Sequence, residues 1–180
     1  MGAFTSEDPS FLPNSLPKEP SVKKPLSHPK KRGEWVELQF MARAAAHGLT
    51  VSKPWGDTAR YDFIVEHRGL FRRVQVKSTT QFLAPRRNRV GAYMCNTVSR
   101  PPQRKHNGRS YTANEIDFFA FYVIPEDLWY IVPVANVRCA RYAVSLNPHR
   151  PDNKYFRYLE AWHLLKQSPA RQQAALPAAC

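Results

Sequence analysis

Apolar and polar residues alternate along residues 61–78, and this alternation predicts a β-hairpin. Runs rich in β-branched and aromatic residues lie on both sides of the dipeptide Arg68-Gly69, and glycine at the second position suits a two-residue type I′ turn. With these two residues in the turn, counting back along both strands places Asp62 directly opposite Gln75. The pattern therefore predicts the hairpin together with its register.

The register also assigns the two faces of the hairpin, because side chains alternate between the faces of a strand. Asp62, Gln75 and Lys77 share one face. The opposite face is apolar and is expected to join the core; its residues are Tyr61, Phe63, Val65, Val74 and Val76. Polar residues at alternate strand positions are typical of a solvated sheet face, so the three polar residues alone indicate either such a face or a site.

Residues 33–47 have the apolar spacing of a helix, and Gly48 suits the position just beyond its C-terminus. The residues that recur at helical spacing are Leu38, Met41, Ala42 and Ala45. Glu37 continues toward this apolar stripe, where a carboxylate is poorly solvated unless it is paired or bound to metal, which favours a functional role. Glu34, three residues earlier, is either an accessory acid or a charge that stabilises the first helical turn.

The remaining apolar segments predict further strands and helices. The predicted strands are residues 49–53, 91–98, 116–124, 128–132 and 143–146, and the predicted helices are residues 133–137 and 155–165. Residues 116–124 are almost continuously apolar, as in a buried central strand, and we interpret Asp117 as a structural acid at the start of that strand. The aromatic stripe of residues 155–165 indicates a core or dimer contact. This order predicts an α/β or α+β domain with a central sheet.

Composition divides the chain into one domain and two tails. Residues 1–31 carry six of the 16 prolines among serines and lysines without an apolar period, which predicts a disordered tail. Residues 32–166 form the predicted domain. The whole chain is 43% hydrophobic and 12% aromatic, which suffices to build a core. Residues 167–180 are predicted to form a flexible C-terminal tail.

The charge of the chain indicates a nucleic-acid partner, since the net charge is +13 and the isoelectric point is near 10.0. Residues 81–110 contain seven basic residues and no acid. These basic residues are Arg86, Arg87, Arg89, Arg100, Arg104, Lys105 and Arg109. Loops of this kind suit contact with a phosphate backbone, and such binding depends strongly on salt.

The cysteines indicate a reducing compartment. Cys95, Cys139 and Cys180 are odd in number and widely spaced, without a C-x-x-C pair or a histidine placed to complete a zinc site. No segment approaches about 20 consecutive apolar residues, and the N-terminus has no apolar signal-peptide core. We therefore expect a cytoplasmic protein with no membrane partner.

The polar face of the hairpin has the chemistry of a metal-dependent site. Asp62 and Gln75 offer oxygen ligands, which suit Mg²⁺, with Mn²⁺ as a substitute. Such a cation would lie with a water beside a phosphate. Lys77 would then orient or deprotonate the attacking water, or neutralise charge that develops on the phosphate.

These residues resemble the PD-(D/E)xK nuclease core, with Glu37 on the first helix, Asp62 on the second strand and Gln75-Val76-Lys77 on the third. The sequence is more closely similar to a bacterial subgroup of these endonucleases, which is related to group I intron homing endonucleases and distantly similar to archaeal Holliday-junction resolvases. The shared motifs, spread over residues 33–165, are Gly-Glu-x-x-Glu-Leu, Pro-Trp-Gly-Asp, Arg-Tyr-Asp-Phe, Val-Gln-Val-Lys, Asp-Phe-x-Ala-x-Tyr-Val and Trp-Tyr-Ile-x-Pro.

The resemblance implies a restriction-endonuclease-like core, in which helices flank a central mixed β-sheet. It also implies a Mg²⁺-dependent DNA endonuclease in which Asp62, Gln75 and Glu37 hold the metal and Lys77 assists the attacking water. The residues expected to bind the DNA backbone are Arg86, Arg87, Arg89, Arg100 and Lys105.

Two positions depart from the family pattern. Tyr61 stands where the motif has proline, and Gln75 stands where a second acid is commoner. A glutamine carbonyl can ligate a metal but adds no charge, so the negative charge comes from Asp62 and Glu37. Two alternatives stay open: a DNA-binding module without hydrolysis, and an RNA-cleaving nuclease on the same scaffold. A homodimer would bring two sites to a duplex, although the sequence shows no interface.

Overall fold

A computed structural model describes residues 28–56, 58–87, 90–99, 108–137 and 142–168. One α-helix and ten strands are formed there. They are α1 Pro29–Ala46, β1 Thr50–Ser52, β2 Phe63–His67, β3 Leu70–Thr79, β4 Phe82–Leu83, β5 Ala92–Asn96, β6 Val98–Ser99, β7 Arg109–Ser110, β8 Phe118–Val123, β9 Leu128–Pro133 and β10 Ala143–Leu146. Short 3₁₀ helices occupy Ile124–Glu126, Val134–Asn136, Phe156–Tyr158 and Trp162–Lys166. None of the described helices is both long and apolar enough to cross a membrane.

The central sheet has five strands in the order β1-β2-β3-β8-β9. β3 and β8 run parallel and the other neighbours run antiparallel, so the sheet is mixed as predicted. A second sheet has the order β10-β5-β4, and β6 and β7 form a two-stranded ribbon. β8 lies inside the central sheet and all six of its residues are buried, which confirms the buried central strand.

The β2–β3 hairpin has the predicted turn. Arg68 and Gly69 have φ values of +51° and +78°, and a positive φ at both central positions is the signature of a type I′ turn. Phe63 pairs with Val74, so the register also agrees with the prediction. Just before β2, the backbone N–H of Asp62 donates to Val74 at 2.9 Å. This bond reaches Val74 and not the predicted partner Gln75, so the chain stays beside β3 but the register shifts by one residue before β2 begins.

Helix α1 differs from the prediction in its start and in its apolar phase. It begins at Pro29, because proline pre-sets the helical φ at the first position, where its missing N–H costs nothing. Residues 29–31, assigned to the tail by composition, therefore form its first turn. The buried residues are Val36, Phe40 and Ala44, so the expected stripe is wrong except at Met41, which is partly buried against the core. Leu38, which headed that stripe, is 63% exposed.

Two apolar clusters cover the faces of the central sheet. The first lies under α1, where the ring of Phe40 packs within 5.6 Å, centre to centre, of Phe63, Trp129 and Trp162. The second lies between the central sheet and the β10-β5-β4 sheet. Tyr61 packs against the second cluster, not the first as predicted, because it precedes the start of β2 and so does not follow that strand's alternation.

The predicted helix over residues 155–165 is wrong. Two 3₁₀ helices occupy this segment, and Glu160 between them has a φ of +47°. Glu160 donates its backbone N–H to Trp129 at 2.8 Å, while its carboxylate accepts the N–H of Trp129 at 2.6 Å. Pairing with β9 therefore interrupts the helix. The aromatic residues here are core residues as expected, since Trp162, Tyr155 and Tyr158 are buried.

Several predictions concern residues outside the described ranges. They are the greater part of the N-terminal tail, the C-terminal tail beyond residue 168, and the basic residues Arg89, Arg100, Arg104 and Lys105.

Candidate active site

The site is built around Asp62, where β2 has not yet begun while β3 runs on past it. The backbone N–H of Val76 therefore has no partner on β2, and it donates to Asp62 Oδ2 at 2.8 Å. The side-chain Nε2 of Gln75 donates to the same oxygen at 2.5 Å. The structure thus brings Asp62 and Gln75 together, as the hairpin register predicted.

Helix α1 brings Glu37 to the same place. Its carboxylate Oε2 lies 2.7 Å from the ammonium group of Lys53, in the segment after β1. The Glu37 side chain is 25% exposed, so it is half-buried although the predicted apolar stripe is wrong. The hydrogen bond from Lys53 to Glu37 is the main cause that raises the pKa of Lys53. No sequence pattern predicts this pair, because the two residues lie on different elements.

Asp62 carries a perturbed carboxyl group. Burial raises its pKa above the usual range, and the negative charge of Glu37 raises it further. The N–H of Val76, the charge of Lys77 and the amide of Gln75 act in the opposite direction without cancelling these effects. The carboxylate of Asp62 thus has hydrogen bonds from neutral donors but forms no ion pair with a described residue, so additional positive charge would stabilise it.

Lys77 follows Gln75 by two residues on β3, and its side chain reaches the same cavity. This cavity has a volume of about 330 Å³, and its lining includes Glu37, Asp62, Gln75 and Lys77. A neighbouring cavity of about 360 Å³ shares Glu37 and Asp62 and extends to Lys53. The four residues predicted to be catalytic therefore converge from α1, β3 and the start of the hairpin.

The donor set fits a hard divalent cation. Asp62 and Glu37 supply carboxylate oxygens beside one cavity, and Gln75 could add its amide oxygen. In the described ranges no three His, Cys, Asp or Glu side chains cluster to hold a metal. A cation here would thus depend on two carboxylates and retain several waters, as Mg²⁺ does. Gln75 directs Nε2 toward Asp62, so ligation through its oxygen requires the amide to turn over.

A family model described as PD-(D/E)XK endonuclease matches residues 27–165. The chain belongs to the PD-(D/E)XK endonuclease family. A solved structure of a bacterial homing endonuclease, I-Ssp6803I, is similar with 28% sequence identity and a TM-score of 0.66, over 81% of this chain and 97% of that one. A comparison with curated protein sequences finds no match. The predicted restriction-endonuclease-like fold is therefore confirmed, and the family is one of nucleases.

In this PD-(D/E)XK protein Glu34 lies at the outer cavity with Glu37 and Lys53. Because α1 begins at Pro29, the first turn contains no acid, and the interpretation of Glu34 as a first-turn charge is wrong. Its side chain is exposed, and it could act only as an outer acid.

The basic residues of segment 81–110 differ in whether an acid neutralises them. Arg86 and Arg87 are exposed on the segment between β4 and β5, and neither forms an ion pair with a described residue. Arg109, in contrast, pairs with Glu115 at 2.6 Å. Glu115 also pairs with Arg60 at 3.2 Å, so an acid from just beyond the basic segment neutralises part of its charge.

Arg60 and Tyr111 lie next to the site, and the sequence analysis did not reveal them. Arg60 donates to Ser99 Oγ at 2.7 Å and to the backbone oxygen of Ser110 at 3.3 Å, and so joins the β6–β7 ribbon to the start of the hairpin. The Tyr111 ring lies 4.2 Å from the guanidinium carbon of Arg60 and 5.5 Å from the ammonium nitrogen of Lys77. Only the fold brings these groups together.

Proposed function

We propose that the protein is a Mg²⁺-dependent DNA endonuclease that hydrolyses phosphodiester bonds. The observation that carries this proposal is the arrangement of Asp62, which is partly buried near a second acid, accepts hydrogen bonds from neutral donors, and faces a cavity that Lys77 also lines. A partly buried carboxylate that has no ion-pair partner among the described residues is costly in a purely structural role. With Glu37, Asp62 is suited to a cation and a phosphate.

In this proposal Asp62, Glu37 and Gln75 hold the cation through their side-chain oxygens. The bound Mg²⁺ would polarise the phosphate and favour ionisation of a coordinated water. Lys77 orients the attacking water and offsets the negative charge that builds up on the phosphate oxygens. The hydrogen bond from the N–H of Val76 holds the Asp62 carboxylate in a fixed orientation toward the cavity. The amide of Gln75, which donates to Asp62 in this structure, would turn over to present its oxygen to the cation. Glu34 serves as an outer, accessory acid.

DNA is the proposed substrate on three grounds. The net charge of +13 favours a polyanion, and the similar solved structure is that of a homing endonuclease. The indole of Trp55 is fully exposed in the turn that follows Lys53, where it offers a stacking surface for a base. The residues proposed to contact the backbone are Arg86, Arg87, Arg89, Arg100 and Lys105.

The decisive experiment incubates the purified protein with supercoiled plasmid, with a four-way DNA junction and with RNA, in Mg²⁺, Mn²⁺ or EDTA. We expect metal-dependent cutting of DNA that is lost in Asp62→Ala and in Lys77→Ala. Exposed residues provide matched controls, and Asp152→Ala and Lys166→Ala are expected to cut as the wild type does. Cutting that continues in EDTA, or in both site variants, would reject the proposal.

One specific observation favours a second candidate, a DNA-binding module without hydrolysis. Gln75 stands where a second acid is commoner, and it directs its amide nitrogen toward Asp62, so it adds no negative charge to the site. Tight DNA binding without cutting in any metal would support this candidate, and restoration of cutting by Gln75→Glu would identify the residue responsible. Preferential cutting of RNA in competition with DNA would instead support an RNA-cleaving nuclease.

The contribution of the basic residues can be measured through salt. Each phosphate contact releases counterions, so Arg86→Ala and Arg87→Ala should each make the slope of log affinity against log salt shallower by about one. Binding measured by fluorescence anisotropy between low and moderate salt tests this. An unchanged slope would remove that arginine from the proposed DNA-binding surface.

We also propose that the protein acts in the cytoplasm. Cys95 is a free, buried thiol, and burial raises its pKa to about 12, so it is unreactive and needs no oxidising compartment.

A homodimer is proposed only for duplex cutting, and sedimentation with and without DNA would test it.

A further inference from the structure

Lys77 is held by an aromatic ring. In the part of the chain that the structure describes, Lys77 forms no ion pair, and its ammonium nitrogen lies 5.5 Å from the centre of the Tyr111 ring. A lysine ammonium within about 6 Å of an aromatic ring is attracted by the negative charge on the ring face. The ring is therefore a binding surface for this cation.

The Tyr111 ring is itself fixed by its surroundings. It packs edge-on against Phe119 of the buried strand β8 at 5.3 Å, and the guanidinium carbon of Arg60 lies 4.2 Å from its centre. The next residue, Thr112, donates its backbone N–H and its hydroxyl to Glu115 at 3.0 and 3.1 Å. These contacts restrict movement of the Tyr111 ring. The ring therefore offers a fixed surface on which the more flexible Lys77 side chain can be held.

We propose that Tyr111 is a positioning residue that holds the ammonium group of Lys77 at the cavity without neutralising it. A lysine side chain has four rotatable carbon–carbon bonds, and a contact at its end restricts them. An acid in place of Tyr111 would also restrict Lys77 but would form an ion pair and compete with the phosphate. A ring leaves the charge and the N–H groups of Lys77 available. The effect on cleavage rests on the proposed nuclease function, whereas the contact itself does not.

The contact can be measured without any cleavage. A proton above an aromatic ring resonates upfield, so the ε-methylene protons of Lys77, assigned with Lys77→Arg, should be displaced upfield from those of the other lysines. Tyr111→Phe keeps the ring and should keep the displacement, and Tyr111→Leu should abolish it. Phe71→Leu is the matched control, because Phe71 is 63% exposed at the far end of the same strand.

The role in cleavage is tested by kinetics on the same variants. Tyr111→Leu should lower kcat by about three- to thirtyfold, the range expected for one cation–π contact, with KM within about twofold. Tyr111→Phe and Phe71→Leu should stay within about twofold of the wild type. In a Lys77→Ala background, whose residual cutting is followed with the enzyme in excess over the DNA, Tyr111→Leu should have no further effect, because the group that it positions is already absent. Thermal melting checks that each variant is folded.

Three results would overturn the proposal: no upfield displacement in the wild type, an equal fall in kcat for Tyr111→Phe, or an undiminished effect of Tyr111→Leu in the Lys77→Ala background. The first and second hold even if Tyr111→Leu does not fold. A wild type that shows the displacement but cuts no nucleic acid would reject the proposed nuclease function and still support the contact.

Discussion

Two aspartates lie beside strand β3, and they are satisfied in different ways. Asp117 accepts the backbone N–H of Arg73 at 2.7 Å and its guanidinium at 2.9 and 3.2 Å. Among the described residues, Asp62 accepts hydrogen bonds only from neutral groups, the N–H of Val76 and the amide of Gln75. The first carboxylate thus has a counter-charge from β3, and the second has none from a described residue.

This difference separates a structural acid from a candidate functional one. Arg73 and Asp117 form an ion pair with side chains that are 30% and 29% exposed. The charge of Asp117 is therefore balanced without a further cation. This confirms the structural interpretation of Asp117. Asp62 is partly buried and has Glu37 nearby, and its burial and the charge of Glu37 both raise its pKa. A carboxylate left in this state gains stability from a cation, as metal ligands do.

The largest expected effect concerns activity. Asp62→Asn keeps the shape of the side chain but removes its charge, and it should reduce cleavage on the order of a thousandfold, because the cation loses its main ligand. Asp117→Asn should leave cleavage by the folded protein within about threefold of the wild type. Initial rates on plasmid DNA, at a temperature where both variants are folded, measure this. Equal losses in the two variants would erase the distinction between the aspartates.

The next effect is on stability, where Asp117→Asn is expected to have the larger effect and Asp62→Asn the smaller one. Asp117→Asn leaves the guanidinium of Arg73 without its charged partner and should lower the free energy of unfolding by about 2 kcal/mol, less than for a fully buried pair. Asp62→Asn should not destabilise the protein at neutral pH. Urea unfolding of both variants against the wild type tests this, and a larger loss for Asp62→Asn would show that Asp62 is a structural acid.

A smaller effect is expected from the metal. Mg²⁺ at ten times its Kd should raise the free energy of unfolding of the wild type by about 1.4 kcal/mol. Asp117→Asn should show the same increase, and Asp62→Asn should show little or none. Melting temperatures with Mg²⁺ and with EDTA provide the measurement. If Mg²⁺ stabilised Asp62→Asn as much as the wild type, the cation would bind elsewhere.

The smallest effect is the pH dependence. The pKa of Asp62 is higher in the folded protein than the ordinary value of 3.8, so folding favours its protonated form. Its contribution to stability is present below pH 3.8 and is lost as pH rises through the folded pKa. Without metal, the wild type should therefore lose stability relative to Asp62→Asn as pH rises from 3.8. The difference between the two unfolding curves isolates this group, and a difference of opposite sign would contradict the raised pKa.

The hairpin could be predicted from sequence because its information is local. Alternation and a two-residue turn fall within residues 61–78, and together they fix the register that sets Asp62 beside Gln75. Lys77 follows from the same count. The site residues on β3 were therefore within reach of the sequence, and the family resemblance added Glu37.

The helices show what a local sequence pattern does not predict. Two sets of residues in α1 have helical spacing, and only packing of Phe40 against Trp129 and Trp162 decides which set is buried. The last predicted helix is broken because Glu160 pairs with Trp129, 31 residues earlier. A helical period carries no information about such distant partners.

The sequence by itself determined the order of the first helix and the strands of the central sheet, the register of the hairpin and the identity of the acids, since these depend on neighbouring residues. Only the tertiary structure decided which acids are neutralised. It joins Asp117 to Arg73, and Glu37 to Lys53, while Asp62 receives only neutral donors. The reason is physical: an electrostatic interaction depends on the distance between charges in space and on their burial, and neither can be read from separation along the chain.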